Sequence, residues 1–190
     1  MGNLRVEGPV DAGWRGTGEP RKRMRILILQ LKRIGDLILT TPAIAALKEA
    51  LPDSQITLAV HASTAPLLPA ITGIDAGAVF GPGRGWTPWQ QALTGGFDVV
   101  LDFTGTDRSA LAAAMTRAPR RITFEWVRRS RMRAMAFQQF VNAPVREQHT
   151  VAHYLQLAAA LFPEGTQAQT DHSPVLEIPG AARTRAQELL

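Results

Sequence analysis

The chain has 190 residues, no cysteine, 45% hydrophobic and 19% charged residues, and a formal net charge of +5. This length supports one domain with a sizeable core, and the composition is that of a folded globular protein. Without cysteine, disulfides, thiolate metal sites and a cysteine nucleophile are excluded.

No apolar run approaches the ~20 residues that cross a bilayer. The first residues lack the apolar middle of a signal peptide, so the expected location is the cytoplasm. The positive charge is mostly arginine. That fits an anionic partner, and it fits equally a genome that favours arginine and alanine codons.

In chain order, residues 1–23 are rich in glycine and charge, with no apolar period. They are expected to be disordered and dispensable. Met24 stands just before the first strand, so translation is expected to start at either Met1 or Met24. Residues 25–31, RILILQL, read as a strand buried on both faces. Residues 32–36 form a polar turn, and Thr41-Pro42 is expected to open a helix over 42–51. Further strands are expected at 55–60, 78–80, 99–102 and 121–124. Helices are expected near 64–71, 88–93, 108–116 and 150–161. This alternation predicts an α/β fold, a Rossmann-like parallel sheet with helices on both faces. Residues 163–174 are polar and proline-bounded, as in a linker. PVLEIP and a helix start, GAARTRAQELL, follow.

Several motifs occur together in this frame. Residues 33–48 read R-x-G-D-x-x-x-T-x-P-A-x-x-x-L-K and are followed by L-P-D-S-x-I. Residues 97–110 read FDVVLDFTGTDRSA, residues 120–124 RRITF and residues 149–157 HTVAHYLQL. In this order the chain resembles glycosyltransferase family 9, the ADP-heptose:lipopolysaccharide heptosyltransferases, over residues 24–176. The resemblance implies the N-terminal, acceptor-side half of a GT-B glycosyltransferase. Residues 24–162 would form that domain, and 163–190 a linker and the start of a truncated donor-binding domain. The implied reaction is inverting transfer of a heptose from ADP-heptose to a phosphorylated, lipid-linked lipopolysaccharide-core glycan. It would take place at the inner-membrane surface, without cofactor or metal, and no specific nucleic acid is expected as partner. With the donor half absent, the fragment is expected to be inactive.

Asp36 lies where open α/β sheets bind ligands, just past a strand's carboxyl end. An anion is favoured at a helix N-terminus, and inverting transfer needs one carboxylate to take the acceptor proton. The family's base maps to Asp36; the turn alone fits a helix-capping aspartate as well. Gly35 is expected to permit the tight turn. Lys32 and Arg33 either hold an acceptor anion or form a solvated charge pair.

The second turn carries Asp102, Thr104, Gly105, Thr106 and Arg108. Its amides are candidates for anion binding, with Thr104, Gly105 and Arg108 as acceptor contacts. The plainer reading is turn chemistry, in which Asp107 caps a helix and Asp102 ties down backbone N–H groups. A third group is the run Arg117, Arg120, Arg121, Arg128, Arg129, Arg131 and Arg133, interrupted only by Glu125. Of these, Arg120, Arg121, Arg128 and Arg129 are taken as acceptor-binding, because arginine holds phosphate bidentately. Interleaved with Trp126, Met132, Met135, Phe137 and Phe140, the segment also suits an anionic membrane, or is simply a solvated basic loop.

His149 and His153 have the i, i+4 spacing of zinc ligands but lack the intervening glutamate. A helix-starting and a half-buried histidine fit better. Trp86 and Trp89 read as anchors. The alternative function is a non-enzymatic module that binds nucleic acid or anionic membrane through its arginines. A nicotinamide oxidoreductase is disfavoured, because QLKRIGD offers one glycine where the fingerprint needs three.

Overall fold

The computed structural model describes residues 23–81, 85, 87–143, 149–162 and 173–188. The expected N-terminal extension (apart from Arg23), Trp86 and most of the expected linker lie outside the described residues.

Six strands form one parallel sheet: β1 (Arg25–Gln30), β2 (Gln55–His61), β3 (Ala76–Phe80), β4 (Val99–Asp102), β5 (Arg120–Phe124) and β6 (Gln139–Val141), in the order β3-β2-β1-β4-β5-β6. The helices among the described residues are α1 (Ile34–Ala50), α2 (Thr87–Thr94), α3 (Asp107–Met115), α4 (Arg131–Ala134), α5 (Thr150–Ala159) and α6 (Gly180–Gln187). Two 3₁₀ turns lie at Ala65–Ala70 and Glu125–Arg129.

Alternation along β1 builds two cores. Ile26 and Ile28 pack with Leu37, Ile44 and Leu47 of α1 and Leu157 of α5. Leu27 and Leu29 pack on the other face with Ala110, Ala112 and Ala113 of α3. Positions 26–29 therefore all face a core and are all apolar, which is why RILILQL shows no period of two.

Three expectations need correction. Helix α1 starts at Ile34 rather than at Pro42, which lies inside it. A mid-helix proline cannot donate to the carbonyl four residues back. Here the Thr41 hydroxyl donates to Ile38 O at 2.8 Å, supplying the bond that Pro42 omits. Strand β6 was not expected; at three residues it carries too little pattern to be read, and it exists because β5 offers it an edge. Residues 64–71 coil as a 3₁₀ turn, with prolines at 66 and 69, rather than as a full helix.

Residues 175–177 run across the α1 side. Val175 N donates to Thr41 Oγ1 (3.1 Å) and Glu177 N to Ala70 O (2.9 Å). Helix α6 follows with no buried residue. Among the described residues, no helix is long and apolar enough to cross a membrane.

Candidate active site

The chain builds β1, β2 and β3 outward in one direction, then crosses back to place β4 on the other side of β1. In open α/β sheets such a reversal marks the ligand crevice, here between the β1–α1 and β4–α3 turns.

Asp36 stands in the first turn of α1, half-buried at this switch point. Its Oδ1 accepts a 2.9 Å hydrogen bond from the phenol of Tyr154 on α5. Among the described residues, no donor is bonded to Oδ2. Tyr154 is buried, with its ring edge-on to Phe103 at 5.1 Å and 6.3 Å from Phe124. Burial, together with the neighbouring Asp36 carboxylate, pushes the phenol's ionisation well above its usual range; the Gln30 amide pulls weakly the other way. Gln30, wholly buried at the end of β1, donates to Thr40 Oγ1 at 2.8 Å. Thr40 in turn donates to Asp36 O at 2.8 Å. The strand end therefore fixes the first turn of α1, and α5 fixes its carboxylate.

Lys32 and Arg33 lie in the same turn. Lys32 is half-buried and acts electrostatically on Asp102, while Arg33 is exposed. Gly35 is helical, and a Cβ there would meet nothing within 4 Å. The fold does not demand a glycine here, contrary to the expectation of a tight turn; the space above α1 is open instead.

The β4–α3 turn is a closed device. Asp102 is wholly buried, accepting from Thr104 N (2.8 Å), Gly105 N (3.2 Å) and Ser109 Oγ (2.9 Å). Burial outweighs these bonds and pushes its carboxyl up to about 6. Thr106 N donates to Ser109 Oγ, and Thr106 rather than Asp107 is the N-cap of α3. The turn's amides are thus spent within the chain, which corrects the reading of Thr104 and Gly105 as acceptor contacts. The Thr104 hydroxyl is also committed, donating to Leu29 O (3.2 Å) and accepting from Leu31 N (2.8 Å). Gly105 has a different necessity: its φ is +69° and a Cβ would collide with the Trp126 ring. Arg108 is exposed at the start of α3, on the crevice edge.

The arginine run is dispersed. Arg120 and Arg121 open β5 and so stand at the amino edge of the sheet, a strand's length from Asp36. Arg120 bonds Gln139 Oε1 (3.3 Å) and Ala160 O (3.2 Å), and Arg121 bonds Ala136 O (2.6 Å). Neither can serve an acceptor at the crevice, because a strand carries its two ends to opposite edges. Arg133 pairs with Asp107 (2.6 Å) and bonds Gly105 O. Arg128 pairs with Glu125 (3.2 Å) over the Phe140 ring at 4.3 Å. Arg129 and Arg131 are exposed, as are Met132 (85%) and Met135 (83%).

His149 caps α5, its Nδ1 accepting from Val151 N, and His153 is buried. Among the described residues, no group of side chains could hold a metal ion. Tyr154, Gln30 and Thr40 had not been singled out from sequence. The available signal was a tyrosine in the buried stripe of α5 with Val151 and Leu157, since a buried phenol needs a partner.

A family model described as glycosyltransferase family 9 (heptosyltransferase) matches residues 86–189. No curated protein sequence matches the chain. Among solved structures, the chain is similar to the glycosyl transferase family 9 protein from Veillonella parvula (TM-score 0.67, 22% identity, 87% of this chain and 48% of that one). It is similar to E. coli heptosyltransferase WaaC with ADP (0.65, 22%, 80% and 51%). E. coli ADP-heptose lps heptosyltransferase II gives 0.67 at 17% identity, over 87% and 50%. At these identities the likeness establishes the fold, a Rossmann-like half of the GT-B type, and the chain spans about half the length of the structures it matches. The family match takes in β4, β5, α5 and the Tyr154 side of the crevice, while Asp36 lies before it. Over more than half of its residues, then, this chain belongs to glycosyltransferase family 9, the heptosyltransferase family.

Proposed function

We propose that the chain is the acceptor-side half of an inverting heptosyltransferase of lipopolysaccharide-core assembly. A second Rossmann-like domain, following residues 163–190, would supply the ADP-heptose site. The observation that carries this reading is the half-buried Asp36 carboxylate at the switch point, held by Tyr154 on one oxygen. As an acceptor hydroxyl attacks the anomeric carbon, the new C–O bond forms and the bond to ADP breaks. ADP leaves with the electron pair, and the acceptor proton passes to Asp36. Lys32, Arg33 and Arg108 rim the crevice and suit a phosphorylated glycan.

Charge and exposure also support contact with the cytoplasmic face of the inner membrane. Met132 and Met135 present large apolar side chains to solvent, beside exposed Arg128, Arg129 and Arg131. Basic side chains near an anionic surface contribute ~1 kcal/mol each. Met132→Glu/Met135→Glu should lower co-sedimentation with anionic vesicles; undiminished binding removes this surface. Arg120, Arg121 and Arg133 are engaged by carbonyls and Asp107, which narrows the basic surface that a nucleic acid could use to the arginines that remain exposed.

The test uses ADP-heptose and a heptose-deficient lipopolysaccharide, following ADP release and product mass. The chain joined to a donor-binding domain should turn over, and the 190-residue chain alone should not. In-line positioning of donor and acceptor is worth ~7–11 kcal/mol of barrier. Turnover by the chain alone overturns the division into halves.

A further inference from the structure

Asp36 has two chemically equivalent carboxylate oxygens, and rotation about its terminal torsion would exchange them. The structure removes that equivalence. A buried phenol reaches Oδ1 at 2.9 Å, and among the described residues nothing is bonded to Oδ2. We propose that Tyr154 is a positioning residue for the transfer reaction, its O–H holding Oδ1 so that Oδ2 is the oxygen offered to the acceptor hydroxyl. The inference rests on Asp36 as the proton acceptor.

Three observations support it. The phenol is rigid: its ring sits edge-on to Phe103 at 5.1 Å and tilted against Phe124 at 6.3 Å, on a helix that shares the core with α1. The backbone of Asp36 is pinned separately, through Thr40 and the wholly buried Gln30, so carboxylate and main chain are held from two sides. Finally, burial and the adjacent carboxylate keep the phenol protonated far above neutral pH, so it acts as a donor and does not compete as a base. A buried hydroxyl among phenylalanines is costly unless bonded. Its bond here goes to the Asp36 carboxylate.

Tyr154 is the chain's single tyrosine, so the tyrosine Raman doublet reports on this phenol alone, without any activity. In the 190-residue chain the doublet should show a strong hydrogen-bond donor, and Asp36→Ala should abolish that signature. A wild-type spectrum without it, or one unchanged in Asp36→Ala, overturns the contact and the proposal with it. In the enzyme carrying its donor-binding domain, Tyr154→Phe should lower kcat about 10²-fold, as loss of near-attack geometry does. Acceptor KM should stay within about twofold, because the phenol does not touch substrate. Asp36→Asn/Tyr154→Phe should be no slower than Asp36→Asn alone. Full turnover by Tyr154→Phe, or losses that add in the double variant, overturns the positioning role. Normal turnover by Asp36→Asn instead overturns the base assignment, whatever the Raman result.

Discussion

Asp36, in the first turn of α1, and Asp102, the last residue of β4, sit at the carboxyl ends of neighbouring parallel strands, and they do opposite work. Asp102 is wholly buried, and both its oxygens accept from the turn that follows it. Those bonds make the β4–α3 turn rigid and leave the carboxylate nothing to offer a ligand. Asp36 is half-buried with one oxygen engaged, by a side chain 118 residues away in sequence. Two aspartates in glycine-containing turns look alike along the chain. What separates them is how much hydrogen-bonding capacity folding leaves over.

The sharpest way to break this contrast is to neutralise each carboxylate in turn. Asp36→Asn, in the enzyme with its donor-binding domain, should lower transfer by about 10²–10⁴-fold with an unchanged melting temperature. Near-normal turnover would remove Asp36 from the mechanism.

Asp102→Ala should instead destabilise. It strands the Thr104 and Gly105 amides and the Ser109 hydroxyl in the interior, where an unsatisfied donor costs ~1–3 kcal/mol. A loss of about 3–5 kcal/mol in urea unfolding is expected, and a loss below 1 kcal/mol would show that water replaces the carboxylate.

The same group gives a pH signature. Its carboxyl is pushed up to about 6 in the folded state against an ordinary value of 3.8, so the folded protein holds the proton more tightly. The resulting stabilisation is complete below pH ~4 and lost as pH rises through ~6, a change of up to about 3 kcal/mol. Asp102→Asn has no such titration. The stability difference between wild type and this variant should therefore shrink by that amount between pH 4 and pH 7. A difference independent of pH would mean that the carboxylate is not strained by burial.

Smaller effects test what supports each turn. Gly105→Ala forces a side chain into a left-handed conformation at φ +69° and into the Trp126 ring, and should cost about 1–3 kcal/mol. Thr41→Val removes the hydroxyl that serves Ile38 O and accepts from Val175 N, at about 1–2 kcal/mol. Equilibrium unfolding measures both. Transfer by Thr41→Val should be retained, since the bonds that hold the first turn of α1 run through Thr40.

Much of the fold was legible in the chain. A strand covered on both faces has an apolar centre, so RILILQL marked β1, and strand–helix alternation marked the parallel sheet. The position of Asp36 followed from strand polarity alone, and the motifs at 97–110, 120–124 and 149–157 lay on the expected elements. The start of α1 lies well before Pro42, because the helix runs through the proline while the Thr41 hydroxyl serves the Ile38 carbonyl left unbonded. The arginines were misread as one surface because sequence adjacency does not reveal the edge of the sheet at which a residue emerges. Arg120 and Arg128 are close in sequence, yet they lie at opposite ends of β5.

Local sequence by itself determined most of the elements, the layering and the placement of a carboxylate at a strand's end, because burial pattern and turn chemistry act over a few residues. Tertiary structure alone decided which of two such carboxylates keeps an oxygen for chemistry. That choice depends on Tyr154 arriving from α5 and on Asp102 sinking beneath its own turn, contacts set by packing across the whole sheet.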